Sequence, residues 1–170
     1  GPDALTLVQR VTDSNMDKPV GSAMYTQMLN ARGGVEADVT VSRIDADKFW
    51  VITASGFVAY DLAWLQMKMQ PEDDVTLRDI TTDYACLALW GPKARLVLSK
   101  ATPDEVTNES FPYLTAKFIT INGVRVWAQR VSYVGEMGWE LYIPTQRALM
   151  VWDMLRAAGK GFGMEVGGYK

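Results

Sequence analysis

The sequence predicts an α+β fold: antiparallel sheets with packed helices, arranged as two similar strand-turn-strand-turn-strand-helix units. Three observations carry this expectation. Residues 35 to 43 alternate strictly, with Val35, Ala37, Val39 and Val41 set against Glu36, Asp38, Thr40 and Ser42. Short glycine turns, ARGG at 31 to 34 and Asn122-Gly123, join neighbouring strand-like runs in the manner of hairpins. Apolar residues near helical spacing then follow each set of strands, at 57 to 69 and from about 145 to 158. The plan occurs twice, roughly over 22 to 69 and 117 to 158, as a repeat of architecture without convincing residue identity.

The elements follow in order. Leu5, Val8 and Val11 recur every third residue in DALTLVQRVT (3 to 12), and Asp3 can cap the start, so a short helix is expected. SNMDKPVG is a loop. Residues 22 to 30, 35 to 43 and 49 to 54 are strands joined by ARGG and DADK, which makes an antiparallel meander. FVAYDLAWLQMKM (57 to 69) is a helix stopped by Pro71 and the acids after it, which read as a solvated turn. VTLRDIT (75 to 81) is a strand candidate, and DYACLALW (83 to 90) reads as a buried strand. Gly91-Pro92 opens a helix in GPKARLVLSKA. TPDEVTNESFPY is a loop or a short helical turn. KFITI, VRVWAQRVSY and WELYIP form the later strands. In the last helix Leu149, Val151, Trp152 and Leu155 cover one broad face.

Bulk composition excludes several classes. The chain has 170 residues, 48% hydrophobic and 22% charged, with a net charge of −3. That is globular composition without the basic excess of a nucleic-acid or anionic-membrane partner. The longest mostly apolar stretch, Phe57 to Leu65, contains Asp61 and is too short to span a bilayer. GPDALTLVQR lacks the basic start and apolar run of a signal peptide. The single cysteine, Cys86, fits a reducing compartment and reads as a small core residue. There is no histidine, so a Ser-His-Asp triad and any histidine-ligated metal are excluded within the chain, and no metal site is expected. Chemistry is thereby confined to proton handling, charge stabilisation and positioning.

Two carboxylates invite a choice between solvent and ligand. Asp38 lies on the polar side of its strand, as a half-exposed sheet requires. Glu140 and Tyr142 share one face of WELYI, while Trp139, Leu141 and Ile143 share the other. Tyr133, Trp139 and Tyr142 crowd this region with rings. A carboxylate beside rings can accept paired hydrogen bonds from the amidine-like edge of a pterin or purine. Gly33-Gly34 and Gly135-Glu-Met-Gly138 are hairpin glycines, since neither runs from a strand into a helix or ends in Lys-Ser/Thr.

Taken together, YTQMLNARGGVEADVTVSRI (25 to 44), ALWGPKAR (88 to 95), FPY and SYVGEMGWELYIP resemble the tetrahydrofolate-binding aminomethyltransferase family. That family includes the glycine cleavage T-protein and the folate domain of dimethylglycine and sarcosine dehydrogenases. The resemblance runs in order along the whole chain. ARGGVEADVTV, FVAYDLAWL and AGKGFGMEVGGYK look closer to the dehydrogenase branch. It implies a folate-binding domain over 1 to 170, a fragment of a longer parent. It implies Asp38 as the catalytic residue near N10 of the folate, Glu140 on the pterin edge, and Tyr133 and Tyr25 lining the site. The implied cofactor is tetrahydrofolate, and the implied reaction passes a methylene group from a methylated amine or aminomethyl donor to it. No dinucleotide-binding glycine motif follows a strand, so no flavin is expected on this chain. A flavin domain of the parent is an implied partner. The implied compartment is the bacterial cytoplasm or the mitochondrial matrix. Two alternatives stay open: a folate-dependent demethylase with another donor, and a non-catalytic folate-binding module for iron–sulfur assembly. The Lys-Gly-Cys-Tyr-x-Gly-Gln-Glu signature of the last is absent.

Overall fold

The computed structural model describes residues 1–168, so the last two residues of AGKGFGMEVGGYK lie outside the described residues. The fold is α+β, in two compact units, Gly1–Thr81 and Thr82–Lys170. The first unit holds α1 (Ala4–Val11), β1 (Ala23–Leu29), β2 (Val35–Asp45), β3 (Lys48–Ile52) and α2 (Val58–Lys68). Its sheet is the expected antiparallel meander, in the order β1-β2-β3. Period two assigns the faces. Met28, Ala37, Val39 and Val41 turn inward against Leu7, Val8 and Val11 of α1 and Leu65 of α2. Tyr25, Gln27, Glu36, Asp38 and Thr40 therefore share the opposite face.

The second unit holds β4 (Tyr84–Trp90), α3 (Ala94–Ala101), β5 (Ala116–Ile121), β6 (Val124–Gln129), β7 (Gly138–Pro144) and α4 (Ala148–Gly159). Its antiparallel sheet has the order β4-β7-β6-β5. One face buries Trp139, Leu141, Ile143, Val126 and Ile119 against Val97, Leu98, Val151 and Leu155 of the two helices. The Asn122-Gly123 turn has positive φ at both residues, 49° and 75°, the geometry that a tight two-residue hairpin requires.

Several expectations are corrected. Residues 75 to 81 form no strand; Val75 and Leu77 are partly buried against the first core from an irregular link. β6 ends at Gln129, short of the predicted Tyr133, because the backbone of Arg130 pairs with Leu114 and Thr115 and the chain then turns away. Asp3 precedes α1 but makes no side-chain cap; its carboxylate accepts the Asp74 N–H at 2.9 Å. Leu149 is 72% exposed, because the buried face of α4 runs through Val151, Leu155 and Ala158. Cys86 is exposed and not a core residue. β4 is an edge strand, and Cys86 lies on the face away from Leu87 and Leu89, the side chains that meet the core.

Candidate functional site

In the first unit the chemistry gathers on the open sheet face. Asp38 on β2 stands directly opposite Gln27 on β1. Gln27 Nε2 donates to Asp38 Oδ1 at 2.8 Å, and the Tyr25 hydroxyl donates to Oδ2 at 2.7 Å. Sequence-predicted Tyr25 and Asp38 are thus brought into contact. The hydrogen bond to Asp38 raises the Tyr25 phenol above its ordinary range, so the tyrosine is a firm donor. Each Asp38 oxygen is oriented by one neutral donor, and the residue stays open to solvent. Such a carboxylate can take a proton or face a developing positive charge.

Two residues earlier on the same face, Glu36 repeats the pattern. Asn30 Nδ2 donates to Glu36 Oε1 at 2.8 Å, and the Tyr60 hydroxyl donates to Oε2. The Tyr60 bond, then the Asn30 bond, hold Glu36 below the usual carboxylate range. Asn30 also closes the turn, since its Oδ1 accepts the N–H groups of Arg32 and Gly34 at 2.9 and 3.0 Å.

In the second unit Glu140 lies on the sheet face away from α3 and α4. Gln129 on β6 is its cross-strand partner and donates Nε2 to Oε2 at 3.4 Å. Tyr142, two residues along β7, donates its hydroxyl to the same oxygen at 2.7 Å. Both protein donors fall on Oε2, and among the described residues none bonds Oε1. On β4 the residue opposite Glu140 is Ala88, which adds little bulk beside it. Burial, with Cys86 and Glu140 nearby, holds the Tyr142 phenol protonated. Although Cys86 lies at the exposed sheet edge, desolvation of its sulfur by the side chains around it, and then the Glu140 charge, push the thiol up to about 12.

Tyr133 comes off the loop after β6 and is 73% exposed. Its ring stacks on Trp90 with centroids 6.1 Å apart and planes at 25°. Trp90 in turn pairs across the sheet with Gly138, two residues from Glu140. A Cβ at Gly138 would lie 2.3 Å from the Leu89 carbonyl oxygen and 2.3 Å from Trp90 Cδ1, so the close β4–β7 approach requires glycine there. Beneath, Trp139 is fully buried with the guanidinium groups of Arg95 and Arg130 5.6 and 5.8 Å from its ring. Both arginines donate to Asn108 Oδ1, which ties the loop before β5 to α3 and to the end of β6.

Sequence reasoning missed Gln27, Gln129 and Trp90. The pairing of Gln27 with Asp38 follows from the register of the first hairpin and was readable in principle. The pairing of Gln129 with Glu140 crosses an irregular loop, and Trp90 depends on β4 lying beside β7, which no local pattern encodes.

The model for the GCVT N-terminal domain family matches residues 1–170. The chain is 32% identical over 166 residues to mitochondrial dimethylglycine dehydrogenase of Homo sapiens, covering 97% of this chain and 19% of that protein. It is 36% identical over 168 residues to the aminomethyltransferase of Chlorobium chlorochromatii, covering 97% of this chain and 45% of that protein. Among solved structures, the glycine cleavage system aminomethyltransferase T from Bartonella henselae superposes with a TM-score of 0.74. That match has 23% identity and covers 91% of this chain and 41% of the other, and it establishes the shared fold. The chain spans about a fifth of the length of the dehydrogenase relatives it matches.

Proposed function

The chain belongs to the GCVT N-terminal domain family, and on that premise we propose that it binds tetrahydrofolate and serves one-carbon transfer from a methylated amine or aminomethyl donor. The observation that carries this reading is the state of Glu140. Its two protein donors share Oε2, which leaves Oε1 to accept from a ligand while Tyr142 and Gln129 keep the group oriented. A half-buried carboxylate so disposed fits the N–H edge of a pteridine, and the exposed Tyr133 ring, backed by Trp90, fits its flat face. When bound, tetrahydrofolate supplies the nucleophilic nitrogen for the one-carbon unit.

The chain's own residues orient, stabilise and move a proton. Glu140 and Tyr133 hold the ring. Asp38 is the proton acceptor and stabilises positive charge, and Tyr25 and Gln27 fix the direction of its two oxygens. Preorganised donors of this kind need no rearrangement at the moment of reaction. A flavin domain elsewhere in a longer parent would supply the oxidation, in keeping with the dehydrogenase names of relatives. The test is a tetrahydrofolate titration of the intact chain followed by tryptophan fluorescence, with Trp90 as the reporter beside Tyr133. A saturable change that Glu140→Ala weakens is expected. A linear response, equal in both proteins, overturns the proposal.

A further inference from the structure

Beside Glu140, β6 carries two buried polar side chains. Trp127 pairs across the sheet with Tyr142, and Gln129 with Glu140, so all four share the face away from α3 and α4. Trp127 and Gln129 are withdrawn from water, at 3% and 0% exposure. Trp127 Nε1 donates to Gln129 Oε1 at 3.4 Å, and Gln129 Nε2 donates to Glu140 Oε2 at 3.4 Å. The Trp127 ring meets Phe118 edge-on, with centroids 4.9 Å apart and planes at 67°.

Indole, amide and carboxylate form a row with a direction. A carboxamide can face a neighbour with its oxygen or with its nitrogen, and the hydrogen-bond partners decide which. An indole has no such choice, since its N–H only donates. An ionised carboxylate has none either, since it only accepts. Gln129, set between them, therefore turns its oxygen to Trp127 and its nitrogen to Glu140. Turning the amide over would set N–H against N–H at one end and oxygen against the carboxylate at the other. Burial denies these groups water as a substitute partner, so the reversed form would leave them unpaired. At 3.4 Å each bond is long, and the row contributes direction more than strength.

We infer that Trp127 is a positioning residue for Glu140 and acts through the Gln129 amide. Its indole N–H holds the amide nitrogen toward Oε2, and Oε1 is thereby left to accept from a ligand. Without that N–H the amide is free to turn and to present its oxygen to the carboxylate. The consequence for tetrahydrofolate rests on the folate reading; the direction of the amide does not.

The experiment has two arms on the intact chain. In the first, isotope-labelled protein without ligand is compared with Trp127→Phe and Gln129→Met by NMR. Trp127→Phe should shift the Gln129 side-chain amide resonances, and Gln129→Met should move the Trp127 indole N–H to higher field. Gln129→Met leaves the Trp127 ring in place, so it tests the contact even where Trp127→Phe does not fold. In the second arm, calorimetry with tetrahydrofolate completes a double-mutant cycle. Trp127→Phe should weaken binding about threefold beside the native Gln129, the lower end for a neutral hydrogen bond, and leave it unchanged in the Gln129→Met background. A residue that only supports packing would cost the same in both backgrounds. Equal losses in the two, or an indole resonance unmoved by Gln129→Met, overturn the inference. Absence of tetrahydrofolate binding to the unaltered chain refutes the folate reading, and the first arm then decides the direction of the amide by itself.

Discussion

Tyr142 donates its hydroxyl to Glu140 Oε2 at 2.7 Å from two residues along the same strand. Gln129, opposite Glu140 in the sheet, aims at the same oxygen. The first unit presents the same trio in Asp38, Tyr25 and Gln27, with one donor on each oxygen. In each unit a carboxylate on the sheet face away from the helices is aimed by a phenol and a cross-strand glutamine. The difference is in what remains free: Glu140 keeps a whole oxygen for a ligand, whereas Asp38 keeps a lone pair on each.

Glu140→Ala should therefore weaken tetrahydrofolate binding by about 1.5–3 kcal/mol, the loss expected for hydrogen bonds to a charged group. Calorimetry on the folded variant measures it. Tyr142→Phe removes an orienting donor and leaves Oε1 in place, so its loss should be smaller, about 1 kcal/mol. Equal affinity in Glu140→Ala and the unaltered chain would remove Glu140 from the site.

Asp38→Asn should slow methylenetetrahydrofolate formation in the complete parent protein while changing folate affinity little, because proton acceptance and not ring binding is lost. The same substitution has a spectroscopic sign. Tyr25 is raised by its hydrogen bond to Asp38 and further by that carboxylate's charge. Removing the charge should bring the Tyr25 ionisation to lower pH in an ultraviolet titration. Unchanged turnover would discard the catalytic role, and an unmoved tyrosine titration would discard the contact.

Much of this was legible in sequence, and the rest failed for identifiable reasons. The alternation from Ala37 to Val41 fixed which side of β2 carries Asp38, because period two leaves no freedom once one face is apolar; Val35, expected on the same inward face, is 63% exposed, beside the register shift at Met28 and Leu29. WELYI placed Glu140 and Tyr142 together for the same reason. Cys86 was misread because an apolar run does not reveal whether its strand is central or at an edge, and β4 is an edge. Leu149 was misread because a helix with apolar residues nearly all round does not declare its inward face. The glutamines opposite Asp38 and Glu140 are products of register: each lies 11 residues from its carboxylate, and the alternation within one strand does not say where the turn sets its partner.

Gly138→Ala should destabilise the second unit by about 1–3 kcal/mol, the usual cost of forcing extra bulk into a closed contact. The added Cβ would meet the Leu89 carbonyl oxygen at 2.3 Å, a backbone atom that cannot swing aside. A lower urea midpoint at unchanged slope is expected. Folate affinity should fall as well, since Trp90, the partner of Tyr133, is the other neighbour displaced. A midpoint equal to that of the unaltered chain would show that β4 and β7 can separate freely.

Arg10 and Asp73 give the first unit a pH dependence that can be signed. The guanidinium donates to both Asp73 oxygens, at 2.5 and 3.0 Å, and Asp73 also accepts the Gln70 N–H at 2.8 Å. The Arg10 hydrogen bond, then the Gln70 N–H, hold Asp73 at about 2, below its ordinary 3.8. A carboxylate with a lowered folded value stabilises the protein fully above its unfolded value and loses that contribution as pH falls through the folded one. Stability should decline between about pH 4 and pH 2, with protons taken up on unfolding. Asp73→Asn should be less stable at neutral pH and show a flatter decline across that window, read from urea midpoints at each pH. A slope equal to that of the unaltered chain would mean that the pair forms equally in the unfolded state.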